Sequence, residues 1–322
     1  MGGEGSGGAY GGAVDGTVVE GVRLRDDPAW RRGAVALAAT VVALLAALGV
    51  GVLWAVFVQT EHGQEVDRAV LWGALYGQSH VWDIAERVLQ VVSVGMIAGV
   101  LLAAVVIAIV RRRWELAVQA AVVMIGANVT TRVLKFELLG RPDNGIDTGS
   151  PLNSLPSGHT TAAMSISVVL LLVVSARARP WVAVLGAGYT TATGVSTLVG
   201  WWHRPSDVVA AVLVVLAWTA ATCALTVMWP AARRDERLDE RPPARAALGA
   251  VTGGLVVIGL VAGAIAALTL SNTFTDVPAQ GDRAGLLAAY GGAVAGILMA
   301  ATLSFAIILV LRHAAARRVL PA

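Results

Sequence analysis

Long uninterrupted apolar runs restrict this chain more than any other feature. They lie at about 33–59, 88–110, 114–134, 159–176, 181–201, 205–229, 246–270 and 284–311. Each is close to the length of roughly 20 residues that carries a helix across about 30 Å of hydrocarbon. No water is available there to satisfy a stray N–H or C=O, so such a segment must close its own hydrogen bonds. The expectation is an all-α, polytopic transmembrane bundle of about eight spans. Composition agrees, with 57% of the 322 residues hydrophobic and 14% charged, against about 25% charged in soluble domains.

The net charge is +3. In such a chain a basic excess reports topology, and nucleic acid is not an expected partner. Of the 24 basic residues, 17 fall in the N-terminal tail, the 111–113, 177–179 and 233–245 loops, and the C-terminal tail. All of these lie on one side if there are eight spans. The other side holds seven: Arg68, Arg87, Arg132, Lys135, Arg141, Arg204 and Arg283. The positive-inside rule then puts both termini in the cytoplasm of a multi-pass plasma-membrane protein.

The domain reading follows. Residues 1–32, Gly-rich and then of mixed charge, read as a disordered cytoplasmic tail. Residues 33–230 form a six-span unit, 231–245 a charged cytoplasmic loop, and 246–322 two further spans with a short tail. Between the first two spans, residues 60–87 carry Val70, Leu71, Leu75 and Tyr76 at near-helical spacing, which suggests an interfacial amphipathic helix. Trp72 and Trp82, like Trp201 and Trp202, suit a headgroup belt. Cys223, the single cysteine, excludes an internal disulfide and reads as a small core residue.

Four of the seven outer basic residues lie within or close to three polar clusters at one membrane boundary. The first is Lys135, the only lysine, with Arg141-Pro142. The second is Ser154-Leu-Pro-Ser-Gly-His159, where a helix begins. Pro156 suits a first helical turn. Ser157 and Gly158 then offer free N–H groups to an anion, and His159 stands beside it as a proton donor. The third is His203-Arg-Pro-Ser-Asp207. Asp207 lies four residues after His203 and can reach back to the imidazole. A carboxylate on one ring N–H fixes the tautomer and leaves the other nitrogen nucleophilic. Lys135 and Arg141 supply positive charge for phosphate oxygens. Each cluster has a plainer reading: an interfacial loop histidine, an acidic first turn, a snorkelling lysine or loop punctuation.

Together the clusters resemble the type 2 phosphatidic acid phosphatase (PAP2) superfamily, whose motifs are Lys-x6-Arg-Pro, Pro-Ser-Gly-His and Ser-Arg-x5-His-x3-Asp. Pro156-Ser157-Gly158-His159 is complete, and the third motif keeps its spacing from Ser196 to Asp207. The likeness covers roughly 90–230. It implies a six-span catalytic core followed by two further spans, and a lipid phosphate or diphosphate phosphatase. His203 would be the attacking nucleophile, forming a phosphohistidine. Asp207 would orient it, and His159 would protonate the leaving oxygen. Lys135, Arg141, Ser157 and Gly158 would bind the phosphoryl group. No metal or other cofactor is implied; the partners are the bilayer and a membrane lipid phosphate such as phosphatidic acid, phosphatidylglycerol phosphate or a polyprenyl diphosphate. Two departures stand out. Only five residues separate Lys135 from Arg141, and Thr197 occupies the arginine position of the third motif, for which Arg132 and Arg204 are candidate substitutes. A non-catalytic lipid-phosphate binder and a phosphotransferase are the alternatives.

Overall fold

The computed structural model describes residues 29–91, 94–110, 114–146, 152–228 and 242–316. The expectations for residues 1–28, the 111–113 loop, residues 147–151, most of the charged loop (229–241) and residues 317–322 lie outside the described residues.

Those residues form helices. Helix α1 (Ala29–Leu53) runs into a π-helical turn, Trp54–Val58, and α2 (Glu61–Val91) follows almost at once. Then come α3 (Val94–Val110) and α4 (Trp114–Val133), which also ends in a π-helical turn, Leu134–Leu138. After a loop come α5 (Gly158–Val173), α6 (Arg179–Val199) and α7 (Pro205–Met228), and finally α8 (Pro242–Thr275) and α9 (Arg283–Ala316). Six of these are long and apolar enough to cross a membrane: Ala29–Val58, Trp114–Leu138, Arg179–Val199, Pro205–Met228, Ala246–Thr275 and Arg283–Ala315. The shorter α3 and α5 bring the bundle to about eight spans, as the apolar runs imply. The chain is thus a multi-pass, all-helical membrane protein.

Burial sorts these helices by role. On α1, Leu37, Leu44, Leu45 and Leu48 stay largely exposed, a face suited to lipid. On α5, 16 residues long, nearly every side chain is buried among α3, α4, α6 and α7. A helix ringed by other helices need not match the thickness of the hydrocarbon, which accounts for its shortness. Helix α9 packs on α2, α6 and α7 as well as on α8, and α8 also touches α6 and α2, so the C-terminal pair is joined to the rest mainly through α9.

Two boundaries and one packing face differ from the sequence reading. Helix α1 starts at Ala29, so Arg31 and Arg32, read as tail, are helical. The second apolar run is divided: α2 continues to Val91 and α3 begins at Val94. Helix α2 is amphipathic as expected, but its apolar face lies on protein. Val66, Ala69, Val70, Leu71 and Ala74 are each about 1% exposed, and Val70 joins Leu198, Val208, Ala289, Ala293 and Ile297 in one cluster.

Close approach explains two of the three glycines of α2, Gly63 and Gly73. A Cβ on Gly63 would lie 2.0 Å from the Val56 carbonyl oxygen, across the tight corner from α1. A Cβ on Gly73 would lie 2.1 Å from the Leu286 carbonyl oxygen and 2.8 Å from Tyr290 Cβ, on α9. Gly73→Ala is therefore expected to destabilise the fold by about 1–3 kcal/mol through overpacking. Gly77→Ala, with nothing within 4 Å, should stabilise it by up to about 1 kcal/mol through helix propensity. Thermal melts of the two variants in one detergent check the pair.

Candidate active site

The turn between α6 and α7 carries the His203–Asp207 pair. Helix α6 ends at Val199, and the N–H groups of Trp202 and His203 both bond the Thr197 carbonyl, at 3.0 and 3.3 Å. Trp201 takes a positive φ of 58° in this turn. Pro205 opens α7, where its missing N–H costs nothing. Asp207 then falls in the first helical turn, and its side chain folds back over the turn. Its Oδ2 accepts from His203 Nδ1 at 3.2 Å and from the Arg204 backbone N–H at 2.9 Å. The Ser154 hydroxyl donates to the same oxygen. Asp207 is wholly buried and His203 is 6% exposed. A carboxylate that collects three donors on one oxygen is held rigidly. It keeps the proton of His203 on Nδ1 and leaves Nε2 as the unprotonated nitrogen.

The Pro-Ser-Gly-His cluster meets this turn from α5. Ser157 is the N-cap, its Oγ accepting from the Thr160 N–H at 3.4 Å and from the Thr160 hydroxyl at 3.1 Å. Two expectations need correction. Pro156 precedes the cap and is joined to Leu155 by a cis peptide bond, so it is not a first-turn proline. The Ser157 N–H is not free; it donates to the Asp207 carbonyl at 2.9 Å and ties the start of α5 to α7. The N–H groups left for an anion are those of Gly158 and His159, the first two helical residues, which have no intrahelical acceptor. Gly158 is exposed and a Cβ there would meet nothing within 4 Å, so this first turn is open on that side. The His159 ring centroid lies 6.3 Å from that of His203 and 5.4 Å from that of Trp202.

Lys135 sits on the π-helical turn that ends α4, and Asn153 Nδ2 bonds its carbonyl at 3.3 Å. Its ammonium lies within electrostatic reach of Asp207, Arg204 and His159. Arg141 lies in the loop beyond. Burial, and next the neighbouring Arg204, hold its guanidinium down at about 10, still charged at neutral pH. All seven site residues read from the sequence thus gather at one end of the bundle.

Two further residues, Arg204 and Asp67, belong to the cluster. Arg204 is only 1% exposed, and its Nη1 donates to Ser154 Oγ, the hydroxyl that in turn bonds Asp207. Arg132, the other candidate substitute, is exposed and stands over the Phe136 ring. Thr197 carries no charge to the site; its hydroxyl bonds the Gly194 carbonyl at 2.7 Å. Asp67, from α2, is 1% exposed and accepts from Ser206 Oγ at 2.7 Å. Burial pushes its carboxyl up to about 7 against the pull of Ser206, with Asp207 adding to the rise and Arg204 and Arg141 opposing it. A signal for Asp67 was present in the sequence: it shares a helical stripe with Val70, Leu71 and Ala74, all buried. Trp201, read as a belt residue, instead donates its indole N–H to the Leu71 carbonyl at 3.0 Å.

The arrangement combines a buried, oriented imidazole with a second imidazole nearby, three cations, and a helix N-terminus open to an anion. A sequence model described as the PAP2 superfamily matches residues 116–233. No curated protein and no solved structure matches the chain.

Proposed function

With residues 116–233 matching the PAP2 superfamily, we propose that the protein is a lipid phosphate or diphosphate phosphatase acting through a phosphohistidine at the extracytoplasmic membrane face. The observation that carries this reading is the His203–Asp207 pair, 3.2 Å apart and buried, beside an open helix N-terminus. His203 Nε2 attacks phosphorus while the bond to the lipid oxygen breaks. His159 gives that oxygen a proton. Water then attacks the phosphohistidine, with His159 as the base, and releases inorganic phosphate. Lys135, Arg141, and the N–H groups of Gly158 and His159 hold the phosphoryl oxygens, whose charge is the main thing such a site has to stabilise. Arg204 supplies the cation that Thr197 lacks.

The side of the membrane follows from the distribution of arginines, which favours cytoplasmic termini. Residues 33–230 are the catalytic unit in this reading, and 246–322 an added pair of spans.

The test is phosphate release by the purified protein in detergent, with EDTA present, from a panel of phosphatidic acid, phosphatidylglycerol phosphate and a polyprenyl diphosphate. Release from at least one lipid is the expected result, and the preferred lipid identifies the substrate class. Binding of these lipids by folded protein without any release would replace the enzyme with a lipid-phosphate-binding protein. Transfer of the phosphoryl group to an added alcohol in preference to water would make it a phosphotransferase.

A further inference from the structure

Helix α2 lies outside the segment that matches the family, yet it grips the loop that carries His203. Asp67 bonds the Ser206 hydroxyl at 2.7 Å, the Leu71 carbonyl accepts from Trp201 Nε1 at 3.0 Å, and Gln78 Nε2 bonds the Val199 carbonyl at 2.7 Å. Positions 67, 71 and 78 fall on one face of a helix. The corner just before them holds the other loop of the site. Trp54 Nε1 and Gln59 Nε2 both donate to the Gly140 carbonyl, at 3.0 and 2.8 Å, and Gln64 Nε2 reaches the Pro142 carbonyl at 3.3 Å. Asp67 stands between the Arg141 loop and the first turn of α7, facing Arg141, Arg204, Asp207 and Ser206.

Asp67 is an odd residue for mere helix packing. It is wholly buried, and its Oδ1 has no hydrogen-bond partner. Burying a carboxyl in this way costs stability. An apolar side chain at this stripe position would pack beside Val70, Leu71 and Ala74 without that cost. What the carboxyl provides is a directed bond to Ser206, the residue next to Asp207.

We propose that Asp67 is a positioning residue of the site, fixing the first turn of α7 through Ser206 and so aiming the His203 imidazole. This rests on the phosphatase reading for its kinetic readout and on none for its spectroscopic one. Asp67 touches no reacting atom; it acts through Ser206 and the Asp207 that follows.

The experiment uses the full chain with Asp67→Ala, Asp67→Asn, Ser206→Ala and the double variant Asp67→Ala/Ser206→Ala. Three quantities are measured: kcat per folded molecule, melting temperature, and the histidine ¹⁵N signals of His203. Asp67→Ala and Ser206→Ala are each expected to lower kcat by about 10- to 100-fold, the scale of a small misplacement of a reacting group. The double variant should be no slower than either single one, because both changes cut the same bond. Asp67→Asn keeps an acceptor oxygen for Ser206, so its kcat should stay within a few-fold of wild type. The His203 Nδ1–H signal should shift in the two alanine variants and hold in Asp67→Asn. A lowered melting temperature with unchanged kcat and unchanged His203 signals would overturn the proposal and leave Asp67 as an anchor for α2. Equal loss in Asp67→Asn and Asp67→Ala would also overturn it, since charge and not the bond to Ser206 would then matter. If the wild type releases no phosphate, the phosphatase reading fails by itself, and the His203 signals alone decide the role of Asp67.

Discussion

His203→Ala is expected to abolish phosphate release, a fall on the order of 10³–10⁶-fold, the range seen when a nucleophile that works as part of a unit is removed. No neighbouring group is built to replace it. His159 is half-buried, with its ring centroid 6.3 Å from that of His203, and among the described residues no carboxylate bonds its ring. The loss should be specific to chemistry. Asp207 Oδ2 keeps two of its three donors in the variant, the Ser154 hydroxyl and the Arg204 N–H. The Ser157 N–H bond to the Asp207 carbonyl is a backbone contact that the substitution leaves alone. Binding of a lipid phosphate to the variant, measured by calorimetry, should therefore survive while release does not.

Asp207→Asn carries the second large effect, a fall in kcat of about 10²–10⁴-fold. Asparagine has nearly the same shape and still presents one oxygen to the donors around it. Its amide nitrogen, however, donates where the carboxylate accepts. With the amide nitrogen toward His203, the imidazole would move its proton from Nδ1 to Nε2 and the attacking nitrogen would lose its lone pair; with the oxygen in the Oδ2 place, a neutral amide stabilises the positive imidazole ring formed on attack far less than the carboxylate does. Asp207→Ala should be at least as slow. It should also lose about 0.5–2 kcal/mol of stability with the side chain that reaches back over the start of α7. Comparing kcat and melting temperature across the two variants separates orientation from anchoring: a large kcat loss with little change in melting temperature in Asp207→Asn is the expected pattern.

The fold was largely legible because lipid leaves few choices. A run such as 205–229 can only be a helix there, and Pro205–Met228 matches it within a residue. The approach of Asp207 to His203 was legible for a local reason: four residues across a helix start is a short reach. What the sequence hid depends on contacts between distant segments. Ser157 and Asp207 are fifty residues apart, so nothing near Ser157 reveals that its N–H is taken. Arg204 could be named only as one of two substitutes for the arginine missing at Thr197. Its burial against Ser154 separates it from Arg132, which lies out over Phe136. Helix α2 misled in a different way. Its apolar stripe was read correctly, but a stripe alone does not say whether headgroups or α6 and α9 will cover it, and Asp67 passed as one more polar residue of that segment.

The most direct test of the central claim is to trap the covalent intermediate. Purified protein is mixed with its preferred lipid phosphate, quenched within the first turnover under alkaline conditions that preserve phosphohistidine, digested and sequenced by mass spectrometry. A phosphoryl group on His203, absent from His203→Ala, is the expected result. Turnover that proceeds with no label on His203, or that persists in His203→Ala, would contradict the account.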